Sequence, residues 1–118
     1  MMSRDELVDF LKDLYAEALD IVELKNTDYA TDDDPLSNFR LVEELGIVET
    51  EKAIFVRLSD KYARLANFLK RGDFAVKDER IEDTVKDLIN YAGILLYAIK
   101  KRKEKRVEEE ELFDYNVG

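Results

Sequence analysis

The chain contains neither cysteine nor histidine. That excludes a disulfide framework, a zinc site of the usual Cys/His kind, a thiol nucleophile and a histidine general base. Glycine stands at four positions only (46, 72, 93 and 118), none of them clustered, so no glycine-rich loop is present to cradle a phosphate. Long apolar runs are missing too. The longest, near Ala92–Ile99, is too short to span a bilayer, and Met1–Lys12 lacks the continuous apolar core of a secretory signal. These absences predict a cytoplasmic protein with no membrane partner, and the lack of cysteine fits a reducing compartment. For chemistry, they leave carboxylates working with a metal ion.

The 118 residues suffice for one domain with a core of its own, and they carry a formal net charge of −9 at pH 7. Such a balance argues against direct binding to nucleic acid or to anionic lipid. It does not exclude phosphate ligands, because a divalent cation can bridge like charges.

Hydrophobic spacing predicts helices throughout and no strand. Ser3-Arg-Asp-Glu6 is a capping box that opens a first helix running to about Lys25, with Leu7, Phe10, Leu11, Leu14, Ala18, Ile21 and Val22 as its buried stripe. After a polar stretch, Asp34 and Pro35 suit the cap and first position of a short helix carrying Leu36, Phe39, Val42 and Leu45, stopped by Gly46. A long helix follows from Thr50 to Gly72, with Ile54, Phe55, Leu58, Tyr62, Leu65, Phe68 and Leu69 as its core face. The last helix is capped by Asp78. Its stripe is Ile81, Val85, Leu88, Ala92, Leu95, Leu96 and Ile99, while Glu79, Asp83, Asp87 and Asn90 stack along the opposite face. That face continues into Ile94, Tyr97 and Ala98, so the helix is apolar nearly all round there and should be covered on every side. The expected fold is all-α, a bundle of three long helices plus a short one. Residues 1–104 form the domain, and 105–118 form a charged tail in which the Lys100–Arg106 cations favour a helix C-terminus and Glu108–Glu111 are solvated.

Three groups of residues can carry chemistry. Glu79, Asp83 and Asp87, four apart, lie close enough on a helix to share a cation such as Mg²⁺, or they form a solvated acidic face. Arg57, Asp60, Lys61 and Arg64 form either an intrahelical salt-bridge row or an acid flanked by phosphate-binding cations. The segment from Lys25-Asn26-Thr-Asp28-Tyr29 to Asn38-Phe39-Arg40 has ordinary turn and cap residues, which also offer donors for phosphate and aromatic surfaces for a base.

In order along the chain these read Lys25-Asn-x-Asp-Tyr29, Asp33-Asp-Pro-x-x-Asn38-Phe-Arg40, Arg57-x-x-Asp60-Lys61-x-x-Arg64-Leu65 and Asp78-Glu79-x-Ile-x-Asp83-Thr84-x-x-Asp87-Leu88-x-Asn90-Tyr91. The pattern resembles the nucleotide modification associated domain family of phages and prokaryotes. That family is similar in turn to the all-α nucleoside triphosphate pyrophosphohydrolases of the MazG and dimeric dUTPase type. The resemblance covers about residues 20 to 100. It implies a MazG-like bundle that assembles as a homo-oligomer and uses Mg²⁺ to bind a (d)NTP, or to cleave it to monophosphate and pyrophosphate.

Carried over by position, Asp60, Asp83 and Asp87 would be the catalytic acids. They would also hold the metal, with Glu79 as a further ligand. Lys25, Asn26, Asp28, Tyr29, Asn38, Phe39, Arg40, Lys61, Arg64 and Asn90 would meet the nucleotide. One departure stands out. Those enzymes carry two glutamates three apart on the first metal helix, whereas Arg57 and Ala63 flank Asp60 here. The alternative is therefore a non-catalytic nucleotide- or partner-binding helical module.

Overall fold

A computed structural model describes residues 3–29, 36–72 and 79–117, without the side chains of 25–29, 79 and 114–117. The described residues form four helices and no strand: α1 (Arg4–Tyr29), α2 (Ser37–Glu44), α3 (Thr50–Arg71) and α4 (Glu79–Val117).

Local chemistry accounts for three of the boundaries. At the start of α1 the capping box closes, with Glu6 N–H donating to Ser3 Oγ at 3.2 Å and Ser3 N–H donating to Glu6 Oε2 at 3.4 Å. Gly72 ends α3 at φ 69°, a left-handed conformation that a side chain resists, and its N–H donates to the Phe68 carbonyl. Gly46 does the same service after α2, at φ 75°. α1 runs on past Lys25 to Tyr29. The described part of α2 begins at Ser37, behind Leu36; the cap expected at Asp34-Pro35 and that at Asp78 lie outside the described residues.

α4 is the central rod. α3 packs along it, α1 packs on another side of it, and α2 sits on α3. Among the described residues the core is small: Leu36, Ile54 and Ala98 are buried together, with Phe39, Tyr91, Ile94 and Leu95 packed around them. Phe39 meets Tyr91 edge to face, with centroids 6.3 Å apart. On the α1 side, Ala18 is buried, and Asn90 Nδ2 donates to its carbonyl at 2.9 Å.

Three expectations need correcting. Phe55, Tyr62 and Leu69, expected in the core face of α3, are 55%, 65% and 56% exposed, and Phe10 of α1 is 65% exposed. Leu96, Tyr97 and Ile99 of α4 are exposed as well, so the all-round apolar segment is not covered within one chain. The physical reason is shared: each helix meets its neighbour along one strip, and the flanks of its apolar arc look outward. The Lys100–Arg106 cations, expected at a helix C-terminus, lie mid-helix instead, because α4 continues through them without a break to Val117.

Candidate functional site: a basic cleft beside the α3–α4 seam

Helix α3 ends and α4 begins at the same end of the molecule, and a cleft of about 710 Å³ opens between them. Its described lining is Arg64, Asn67, Phe68, Lys70 and Arg71 from α3 with Arg80, Ile81 and Thr84 from α4. Four cations therefore share one concavity in a chain whose net charge is −9, and no carboxylate is among the described lining residues. The volume lies within the range of small-molecule sites, on the order of 300–1,000 Å³.

Helix dipoles explain only half of these charges. Lys70 and Arg71 occupy the last turn of α3, where cations are favoured. Arg80 sits in the first turn of α4, the end at which a cation is disfavoured. An anion in the cleft would reverse that penalty, since helix N-termini and guanidinium groups both attract phosphate. Phe68 and Ile81 add apolar surface, and Asn67 adds an amide that can donate and accept.

The acids expected at the site adjoin this cleft without converging. Asp87 forms an ion pair across the seam with Lys61 at 3.0 Å, both side chains less than one-fifth exposed. Asp60 is half-exposed and pairs along its own helix with Arg64 at 3.4 Å. Asp83 is exposed. Among the described residues no three acids come together as a metal cage; the Glu79 side chain lies outside them, as do those of Lys25, Asn26, Asp28 and Tyr29.

The remaining expected residues lie elsewhere. Asn38 is exposed on α2, and Phe39 packs on the core through Tyr91. Asn90 ties α4 to the α1 backbone. Arg40 borders a second, small cavity of about 110 Å³ with Glu43, Thr50, Glu51 and Arg102. Glu51 and Arg64 are roughly 20 Å apart along α3 at 1.5 Å per residue, so these are two separate places.

This second place, which Lys101 and Lys105 also line, is built around a hydrogen-bonded knot. Arg102 Nε donates to both Glu51 oxygens at 2.8 and 2.9 Å, and its Nη2 reaches Glu43. Thr50 donates to Glu43 from its N–H and its hydroxyl, each at 3.3 Å. Burial opposes the charge on Glu43, but the hydrogen bonds from Arg102 and Thr50 outweigh it and hold the carboxyl below its ordinary range. The Glu51 bond does the most to strengthen the Arg102 charge. On the other side of α4, Lys86 is held protonated above its usual range by its bond to Glu17, at 2.9 Å.

Sequence reasoning picked out Arg64 but passed over Lys70, Arg71 and Arg80. The signal available was Arg80, a cation at the wrong end of a helix. No protein-family model matches this chain, and no curated protein or solved structure is significantly similar to it.

Proposed function

We propose that this chain is a MazG-like, nucleoside triphosphate pyrophosphohydrolase-like protein that binds a (d)NTP together with Mg²⁺, the phosphates lying in the cleft between the end of α3 and the start of α4. The observation that carries this reading is the cluster of Arg64, Lys70, Arg71 and Arg80 around one cavity of nucleotide size. Cations concentrated in a concavity of an acidic protein select a compact polyanion over a long nucleic acid, whose backbone the rest of the surface repels.

Mg²⁺ is commonly held by one or two carboxylates plus substrate phosphates, so a three-acid cage is not required for it to be bound with a nucleotide. Asp87 is the acid nearest to being pre-placed, since Lys61 fixes it beside the seam. Asp60, Asp83 and Glu79 would complete the donor set. When bound, the ion would offset phosphate charge and acidify a water. Lys61 and Arg64 would then exchange their carboxylate partners for phosphate oxygens, and Arg71 and Arg80 would orient the triphosphate.

The non-catalytic alternative has its own support. Each of Asp60 and Asp87 already has a cationic partner, and the described acids do not gather. Under that reading the cleft binds the nucleotide and releases it intact. In either case we take the chain to act as a homo-oligomer, because Phe55, Tyr62 and Leu69, seven apart on α3, form an exposed apolar stripe.

A panel of (d)NTPs, with Mg²⁺ and with chelator, tests the reading through two readouts: calorimetric binding and pyrophosphate release. Binding with release that Asp87→Asn abolishes supports the enzyme. Binding without release supports the module. No binding of any member refutes both.

A further inference from the structure

We infer that two copies of this chain associate through the C-terminal part of α4, packed antiparallel about Val107. This deepens the homo-oligomer reading above and is independent of nucleotide binding.

The first argument is unmet surface. The chain exposes 9791 Å², whereas a compact monomer of 13.8 kDa exposes roughly 6,600 Å². Its radius of gyration is 18.7 Å, against roughly 13–14 Å for a compact chain of this length. The excess, on the order of 3,000 Å², is several times the roughly 800 Å² per partner of a standard interface. Much of it is α4. Arg102 is bonded to Glu43 and Glu51, but residues 103–113 are exposed all round, Val107, Leu112 and Phe113 among them. At 1.5 Å per residue the stretch 103–117 projects on the order of 20 Å.

The second argument is charge order, which selects the occupant. The basic stretch Lys100–Arg106 is followed by Glu108–Glu111, with Val107 between them. Within one helix, a lysine preceding a glutamate by four is the weaker order of pair. Across a two-fold axis at Val107 the same sequence is complementary to itself. Lys103, Val107 and Glu111, at steps of four, share one stripe of the helix. An antiparallel copy sets Lys103 against the partner's Glu111, Val107 against the partner's Val107, and Glu111 against the partner's Lys103. Glu104, which would otherwise face a like charge, is already bonded to Lys101 at 3.3 Å. Such an isologous contact closes on itself and yields a dimer. A nucleic acid would meet the glutamates as well as the lysines.

The full chain tests this directly, because it has no native cysteine. Val107→Cys installs a single thiol on the proposed axis, and Lys12→Cys, on exposed α1, serves as control. Under mild oxidation at micromolar concentration, Val107→Cys should form a disulfide-linked dimer at least tenfold faster than Lys12→Cys. Adding Lys103→Glu and Arg106→Glu should remove that advantage, and so should adding Glu108→Lys and Glu111→Lys. Mixing the two charge-reversed chains should restore it as a heterodimer, which also shows that neither has simply unfolded. Crosslinking no faster than the control, or indifferent to charge reversal and mixing, overturns the inference. Sedimentation of the unmodified chain separates the two failures: an oligomer would leave the homo-oligomer reading standing on the α3 stripe, and a monomer would end both.

Discussion

The two ends of the α3–α4 pair both gather cations, but among the described lining residues only one of them holds carboxylates. At the end holding the start of α3, Arg102 is bonded to Glu43 and Glu51, and Thr50 adds hydrogen bonds to Glu43. Where α3 ends, Arg64, Lys70, Arg71 and Arg80 crowd one cleft, and Asp60, at the edge, is paired with one of them. The Arg102 knot serves the fold, joining α2, α3 and α4 beside the buried Ile54. On the reading proposed above, the cations of the cleft serve to hold a polyanionic ligand.

The contrast can be broken from either side. Ile54, fully buried next to the knot, should be the most expensive single truncation. Ile54→Ala is expected to cost about 3 kcal/mol by lost burial and a residual cavity, read as a lowered urea midpoint. Arg102→Met should cost about 2 kcal/mol on the same measurement, because Glu43 and Glu51 lose charged hydrogen bonds in a half-buried place. The cleft should respond chiefly in binding. Arg71→Glu should lower the urea midpoint only slightly, through an acid placed at the α3 C-terminus, while weakening Mg²⁺-nucleotide binding about tenfold or more, the scale of one charge-assisted contact.

The smallest effect is a pH dependence. Glu43 ordinarily titrates near 4.5 and is depressed in the folded chain. Its contribution is therefore complete above about pH 4.5 and lost as pH falls through the depressed value. Arg102→Met should flatten that part of the stability profile. An unchanged profile would mean that Thr50 and not Arg102 holds the Glu43 charge.

Three helix ends were legible in the sequence because they are written in neighbouring residues: the Ser3–Glu6 box and the left-handed glycines at 46 and 72 need no tertiary knowledge, whereas the ends of α1 and α4 lie beyond those expected. The core was legible only in part. Phe55, Tyr62 and Leu69 have the spacing of core residues, and spacing is identical whether the covering surface belongs to the same chain or to another. Of the site, Lys61 and Asp87 were visible as candidates, though not as partners of each other. Lys70 and Arg71 stand at a helix C-terminus, where cations are favoured whatever their use, and only the return of α4 beside α3 brings Arg80 to them. The Arg102 knot was hidden for the same reason, its members lying in three helices.

Calorimetric titration of the unmodified chain and of a variant carrying both Arg71→Glu and Arg80→Glu, with a (d)NTP panel and Mg²⁺, tests the central claim most directly. The account predicts saturable binding of at least one nucleotide to the unmodified chain, weakened a hundredfold or more in the variant while its helical content is retained. Equal affinity in both proteins, or no heat of binding with any nucleotide, would contradict it.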